Sequence, residues 1–288
     1  MIPSNSDVSR QFRRKLKSDL MIGMTAFATM LALAPLFLVL GYLVSKGASS
    51  LNLDFFIRTP KPVGEQGGGM ANAIVGTFEL VGIACLVGIP IGIGAGLYLA
   101  EHPLSTLGRA IRFAADITMG VPSIVIGIFA YAVVVRPMHG FSALAGSFAL
   151  AVIMIPLVTR TTEEMVKLVP RELREAALAL GVPRWRTSLS VVVRTAMAGI
   201  ATGVILAIAR ITGETAPLLF TAFGNQFWSI SVTHPIAALT VQVYAFAISP
   251  FADWQRQAWA GALVLTCIVL TLEIGVRWMT SGSARVPR

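Results

Sequence analysis

The chain of 288 residues is too apolar for a water-soluble domain of this length, since 55% of its residues are hydrophobic and only 13% are charged. Together with a mean hydropathy of +0.75, this composition indicates a polytopic membrane protein of the all-α class. The net charge of +9 does not indicate nucleic-acid binding, because the basic residues lie at the ends of apolar segments and form no patch with aromatic residues. Cys85 and Cys267 lie inside apolar segments without the spacing of a metal or redox motif, so neither a disulfide nor a metal site is predicted.

Six apolar segments are long enough to cross a bilayer as helices. Residues 1–19 are polar and predict a tail, whereas residues 20–44 run without a charge for longer than a signal-peptide core and predict a retained first helix. The other five spans form a predicted core over residues 71–276, followed by a second tail over residues 277–288. The predicted ranges of these five spans are 71–100, 117–135, 140–159, 195–223 and 258–276.

Lysines and arginines are divided unevenly between the two sides of this predicted bundle. Six spans place both ends of the chain on one side, and the segments on that side hold 17 of the 23 basic residues, against 5 on the other side. The bias predicts that both termini and the loop 160–194 are cytoplasmic. On the other side, the apolar stretch between Pro235 and Pro250 is too short to cross and predicts an external or re-entrant helix.

A short helix with polar flanks is predicted inside the loop 160–194. Pro170 suits the first helical position, and Gly181 followed by Pro183 favours a left-handed end and a stop. The apolar stripe of this helix consists of Leu173, Ala176, Ala177 and Leu180. The helix could lie against the protein's own membrane domain, or it could dock onto a soluble partner that the small alanines allow to approach closely.

This loop resembles the EAA loop of the permeases of ATP-binding-cassette (ABC) importers. The matching residues are Glu175, Ala176, Ala177 and, four residues later, Gly181. In that family the loop forms the coupling helix, which sits in a groove of a cytoplasmic ATPase. The resemblance implies a type I ABC importer permease fold with six transmembrane helices. It also implies contacts to the ATPase by Leu173, Glu175, Ala176, Ala177, Leu180 and Gly181.

The fifth predicted span carries the only arginine with apolar sequence on both sides. Arg210 lies 16 residues beyond Arg194, or about 24 Å along a helix, and hence in the outer half of a bilayer core about 30 Å thick. Glu214 follows one turn later. Helical spacing predicts that both charges point into the bundle, on a face of small residues that permits close packing. The residues on this face are Gly199, Gly203, Ala207, Arg210, Glu214 and Pro217.

Two interpretations of the intramembrane charges remain open. An arginine in the membrane core costs roughly 3 kcal/mol unless it is paired or hydrated. Arg210 and Glu214 could form a pair that only staples the helix, or they could line a translocation path in which the guanidinium binds a tetrahedral oxyanion. Glu79 is a further candidate for this path, and Asp116 is interpreted as a helix cap. Helix-breaking or pore-lining positions are predicted at Gly213, Pro217, Pro122 and Ser123.

Four stretches together resemble the A-type permease of phosphate-specific (Pst) importers. They are residues 98–101, 120–127, 171–181 and 207–222. The run from Thr215 to Leu218 separates the chain from the C-type permease, which continues there with Thr-Met-Ala-Val. The resemblance extends from about the second span to the end of the chain. It implies a permease subunit of a phosphate importer in the bacterial inner membrane, with Arg210 in the translocation path.

The same resemblance implies the partners: a C-type permease, two ATPase subunits and an extracytoplasmic phosphate-binding protein. The chain lacks a Gly-x-x-x-x-Gly-Lys-[Ser/Thr] loop, so we expect a transporter subunit that is not an enzyme and binds no cofactor, with ATP used by a partner. Two alternatives remain, a permease for another oxyanion such as sulfate and a secondary transporter. An intramembrane enzyme is disfavoured because His102, His139 and His234 lie in loops without a metal or nucleophile motif.

Overall fold

The computed structural model describes residues 5–65 and 67–281, which form helices and loops with no β-strand beyond one isolated bridge, between Phe223 and Ile236. The fifth and eighth helices each contain a π-helical turn, at residues 131–135 and 188–192. In chain order the helices are α1 (Asn5–Ala48), α2 (Leu53–Ile57), α3 (Ala71–Glu101), α4 (Thr106–Gly120), α5 (Ser123–Met138), α6 (Ala143–Lys167), α7 (Arg171–Ala179), α8 (Arg184–Thr212), α9 (Ala216–Leu219), α10 (Leu239–Ala247) and α11 (Ala252–Ser281).

Five of these helices, α1, α3, α6, α8 and α11, are long and apolar enough to cross a membrane. The bent pair of α4 and α5 provides a sixth crossing if it is counted as one span. The predicted all-α membrane architecture is therefore confirmed. The stretch between Pro235 and Pro250 does form a helix, α10, and its nine residues are too few to cross.

The predicted third span is broken into two helices. α4 and α5 meet at an angle of 109° across Val121 and Pro122, whose ψ angles of 131° and 135° are extended. Proline lacks an N–H donor and disfavours helical backbone in the residue before it. The third span is therefore not one straight helix, and the chain turns at Pro122, one of the positions predicted to break a helix.

Several helices, α11 (Ala252–Ser281) among them, extend beyond the ranges that hydropathy predicts. α6 continues to Lys167 and α8 begins at Arg184, so only residues 168–183 connect them. α8 ends at Thr212, well before the predicted limit at Phe223. α1 includes most of the segment that was expected to be a tail. The additional turns carry charged residues, which hydropathy excludes from a span but which a helix outside the apolar layer accommodates well.

α1 touches the rest of the chain mainly near its C-terminal end. The ring of Tyr42 packs edge to face on Trp259 of α11, with centroids 5.2 Å apart, and Gly47 lies close to Leu263. The apolar part of α1 is only 6% buried. Most of this helix therefore presents an apolar surface outside the chain's own bundle.

The core is centred on a seam of glycines between α3 and α6. Gly88, Gly92 and Gly96 follow one another at intervals of four residues and face α6. A Cβ atom at Gly96 would lie 2.6 Å from both the Thr162 Cβ and the Thr159 carbonyl oxygen. The absence of side chains on this stripe lets the two backbones approach closely.

Small residues also bring α8 against α6. Gly199 lies against Met165, and Gly203 lies against Thr161. At the start of α3, the Thr77 hydroxyl accepts a hydrogen bond of 2.8 Å from the Leu239 N–H and so caps α10. α3 and α6 thus form a central pair, with α8 packed along α6 and α10 attached to the N-terminal part of α3.

Candidate functional site

Arg210 lies in the last turn of α8, and its side chain is 57% exposed in the single chain. The helices of this chain alone therefore do not enclose Arg210, whereas the Glu214 side chain is only 17% exposed. Helical spacing puts Arg210 on the same face as Gly203, which packs against α6. Ala207, one turn earlier, is fully buried, whereas Arg210 lies in the last turn of α8 and its long side chain is exposed.

Glu214 follows the end of α8 and is held in place through its backbone. Its carbonyl oxygen accepts a hydrogen bond of 2.9 Å from the Thr240 hydroxyl, which ties this segment to α10. The Glu214 carboxylate Oε1 lies 4.0 Å from the Arg210 Nε atom. Because this distance exceeds that of a hydrogen bond, the guanidinium can still donate its N–H groups to another partner.

The structure does not bring Glu79 and Asp116 to Arg210. Among the described residues, Glu79 forms no ion pair, and its buried Oε1 atom has no hydrogen-bond partner. Asp116 instead accepts hydrogen bonds of 2.6 and 2.8 Å from the Arg160 Nη2 atom. The interpretation of Asp116 as a helix cap is wrong, because it lies within α4, whose N-terminus is capped by Ser105.

The two segments predicted to break helices do lie next to each other. A Cβ atom at Gly127 of α5 would lie 2.6 Å from the Pro217 Cα atom of α9, so α5 and α9 are in direct contact. Gly213 ends α8, and Pro122 with Ser123 opens α5. Both sides of this contact are therefore interrupted helices, one of which leads directly to Arg210.

The short predicted helix in the loop 160–194 is present as α7. Pro170 precedes it, since its ψ of 140° is extended, so the expectation that proline occupies the first helical position is wrong. Gly181 ends the segment with a φ of +79°, in the left-handed region that glycine favours. The Gly181 N–H donates to the Leu178 carbonyl at 3.0 Å, and the Val182 N–H donates to the Ala177 carbonyl at 3.2 Å.

One side of α7 faces the chain and the other side is open. Ala177 is only 8% exposed, whereas Leu180 is 84% exposed. The remaining residues predicted to contact a partner are also exposed: Leu173, Glu175, Ala176 and Gly181. Arg174 anchors the inner side, because it donates to the Glu101 carboxylate at 2.6 Å and to the Val166 carbonyl at 3.1 Å.

Beside α7, the structure contains an ionic cluster that the sequence reasoning missed. Glu163 of α6 is only 1% exposed, and its carboxylate contacts Arg112 of α4 at 2.8 Å, Arg160 at 3.0 Å and Lys167 at 2.6 Å. Arg112 also donates to the carbonyl oxygens of Leu99 and Pro103. The cluster joins the C-terminal parts of α3 and α6 to the middle of α4.

Part of this cluster could have been found in the sequence. Arg160 and Lys167 lie three residues before and four residues after Glu163, a spacing that places both cations beside the carboxylate on a helix. This local signal could not show that Glu163 is buried or that Arg112 joins it, because Arg112 lies 51 residues away in the chain.

The chain is similar to a known family of membrane permeases and to several of its curated members. Residues 88–282 match the family described as "Binding-protein-dependent transport system inner membrane component". "Phosphate transport system permease protein PstA" of Pasteurella multocida is 49% identical over 266 residues, covering 92% of this chain and 94% of that protein. The protein of the same name in Yersinia pestis is 47% identical over 269 residues, covering 93% and 91%.

Solved structures with this fold come from ABC transporters. The inward-facing MetNI methionine ABC transporter matches with a TM-score of 0.61 at 16% identity, covering 75% of this chain and 98% of that chain. A bacterial ABC transporter involved in the import of alginate matches with a TM-score of 0.60 at 13% identity, covering 94% and 100%. At these identities the similarity shows the fold alone, and it confirms the type I ABC importer permease fold.

Proposed function

Because the chain belongs to the family of binding-protein-dependent transport permeases, and within it to the PstA phosphate permeases, we propose that it is the membrane permease subunit of an ATP-driven importer of inorganic phosphate. The observation that carries this proposal is the identity of 47–49% to proteins named PstA over more than nine-tenths of the chain. The phosphate assignment is thus favoured over another oxyanion, and the ABC fold is favoured over that of a secondary transporter.

Arg210 is the residue proposed to meet the substrate. Its side chain is 57% exposed at the end of an apolar helix, and contact of its charge with lipid would cost free energy. A hydrated path between this chain and a second permease subunit would supply water and polar groups instead. The planar guanidinium can donate two parallel hydrogen bonds to a tetrahedral phosphate, and Glu214, 4.0 Å away, would orient it between substrates.

Glu79, Gly213, Pro217, Pro122 and Ser123 are proposed to shape the same path. The contact between α5 and α9 supports this proposal, because interrupted helices expose backbone groups that need a polar cavity or protein partners. Glu79 has a buried carboxylate oxygen without a hydrogen-bond partner among the described residues. A conformational change that brings this oxygen to a donor would satisfy it.

The open side of α7 is proposed to dock onto a separate ATPase. Its exposed residues include Leu180 at its end and the small Ala176 beside Glu175, which together offer an apolar contact with an adjacent charge. The proposed complex contains this chain, a C-type permease, two ATPase subunits and an extracytoplasmic phosphate-binding protein. ATP is bound by the ATPase subunits, and this chain is proposed to bind no cofactor. Both termini and α7 are proposed to be cytoplasmic, as the excess of basic residues favours.

Transport by the purified complex in vesicles tests the proposal. We expect uptake of radiolabelled phosphate to require ATP, to continue when ion gradients are collapsed, and to be lost when the ATPase subunits cannot hydrolyse ATP. Radiolabelled sulfate is measured in parallel and should not accumulate. Uptake that follows an ion gradient without ATP would contradict the importer proposal, and preferential uptake of sulfate would contradict the substrate.

A further inference from the structure

We propose that Arg174 and Glu101 form the mechanical link through which movement of α7 reaches the membrane helices. This inference rests on the proposed function of α7 as the helix that docks onto the ATPase. Glu101 is the last residue of α3, and Val166 lies in the last turn of α6. By contacting both residues, one arginine side chain ties α7 to the ends of the two central helices.

The link is needed because α7 is not packed tightly onto these helices. A cavity of about 540 Å³ lies beside α7, lined by Ala100 of α3, Lys167 of α6 and three residues of α7. Those three residues are Arg171, Arg174 and Glu175. Where the cavity separates α7 from the other helices, a movement of α7 does not displace them through van der Waals contact, since such forces act only between atoms in contact. Across this open space, the two hydrogen bonds from Arg174, at 2.6 and 3.1 Å, connect α7 directly to the ends of α3 and α6.

The end of α3, where Glu101 accepts the hydrogen bond from Arg174, is held rigidly. Glu101 lies between Leu99 and Pro103, and the carbonyl oxygens of both neighbours accept hydrogen bonds from Arg112, at 2.8 and 3.0 Å. Arg112 is itself bound to the buried Glu163 of α6. A displacement of Glu101 therefore moves the end of α3 together with α4 and α6 and does not only bend the end of α3.

The same displacement has a route to the proposed substrate site. α6 is joined to α3 through the glycine seam, and it contacts α8 at Gly199 and Gly203. α8 carries Arg210 in its last turn. Since closely packed helices shift as units between discrete arrangements, a movement that enters at Arg174 arrives at the substrate-facing end of α8.

The test compares the number of phosphate ions transported for each ATP hydrolysed by the complete complex in vesicles. We expect R174A and E101A to retain the ATPase subunits, because neither change removes the exposed side of α7, but to lower this ratio by about tenfold. The double variant R174A/E101A should be no worse than R174A, because E101A removes only a contact that R174A has already removed. The charge swap R174E/E101R should restore much of the ratio that R174E and E101R lose alone. R109Q serves as the control, since Arg109 is exposed and the hydrogen bond that its side chain forms in the described structure is to Thr106 of its own helix.

An unchanged ratio in both single alanine variants would overturn the inference. So would loss of ATPase binding in both, because the pair would then position the docking surface and would not transmit movement. E101A decides the question by itself if R174A does not assemble, since Glu101 lies on α3. A wild-type complex that imports no phosphate would instead contradict the proposed function, and this outcome does not depend on either residue.

Discussion

At the scale of single residues, Glu163 combines burial of a charged side chain with three ion pairs in the described structure. It is almost completely buried, yet three cationic side chains reach its carboxylate from α4 and α6. Removal of one member of a buried ionic group leaves the other charges without compensation, which is far more destabilising than the loss of an exposed pair. Glu163 therefore holds the helix ends that receive the Arg174 contact.

We expect Glu163→Ala to lower the free energy of unfolding by about 3 kcal/mol. Arg160 keeps Asp116 and Arg112 keeps its two carbonyl partners, so the loss should lie near the lower end of the range for buried pairs. Thermal unfolding of the purified complex measures the effect. Glu65→Ala is the matched control, because Glu65 forms an exposed pair with Lys61 at 3.6 Å, and such a pair contributes about 0–1 kcal/mol. Equal stability of the two variants would show that the buried cluster is dispensable.

At the scale of helices, close approach of α3 and α6 organises the core. Three glycines on one stripe of α3 allow this approach, while Gly94 of the same helix faces open space. This difference separates the packing role of glycine from its ordinary unfavourable effect on helix stability. It also provides two substitutions that are chemically identical and only two positions apart.

Gly96→Ala should destabilise the bundle by about 1–3 kcal/mol, because its Cβ atom would collide with the backbone and side chain of α6. Gly94→Ala should instead be neutral or stabilise by about 0.5–1 kcal/mol, since nothing lies near its Cβ position and alanine favours helix. Comparison of the two melting temperatures measures this difference. Similar melting temperatures would contradict the close packing of the seam.

Hydropathy and proline chemistry predicted the helices better than their ends. The six apolar segments and the break at Pro122 follow from local sequence, because they depend on each segment's own composition and backbone limits. The full lengths of α6 and α8 do not, because charged residues continue a helix beyond the apolar layer. Local sequence also identified the left-handed end at Gly181, where backbone geometry decides the residue type.

The site was predictable only where it depends on neighbouring residues. Spacing indicated that Arg210 and Glu214 lie one turn apart, but it did not reveal that the helices of this chain alone do not enclose Arg210. The contact between Arg174 and Glu101 joins residues that are 73 positions apart. Such a pairing depends on how helices are arranged in space, which the pattern of a single sequence does not specify.

At the scale of the whole molecule, α3 separates the loop around Asn225, at one end of this helix, from α7, at the other end. At its start, Asn72 donates a hydrogen bond of 2.7 Å to the Asn225 carbonyl, and at its last residue, Glu101 binds α7. A helix of 31 residues is about 46 Å long, which exceeds the thickness of the bilayer core. We therefore expect the loop around Asn225 and the helix α7 to lie on opposite sides of the membrane.

This separation predicts the outcome of cysteine labelling. After Cys85 and Cys267 are replaced by alanine, a membrane-impermeant maleimide added outside right-side-out vesicles should label Gln226→Cys and not Glu172→Cys. Both positions are exposed in the structure, so access depends on sidedness. Inverted vesicles should give the opposite pattern. Labelling of both positions from one side would contradict the arrangement along α3, and a reversed pattern would contradict the cytoplasmic location of α7.

The most direct test of the central claim, that Arg210 meets the transported anion, is ATP-driven phosphate uptake by wild-type, Arg210→Gln and Arg194→Gln complexes with equal subunit content. Arg194 is an exposed arginine on the same helix and controls for the general loss of a positive charge. We expect Arg210→Gln to lower uptake by about tenfold or more, as removal of a charged hydrogen-bond donor predicts, with the ATPase still bound and Arg194→Gln close to wild type. Normal uptake by Arg210→Gln would show that the pair with Glu214 only staples the helix, and it would contradict the account.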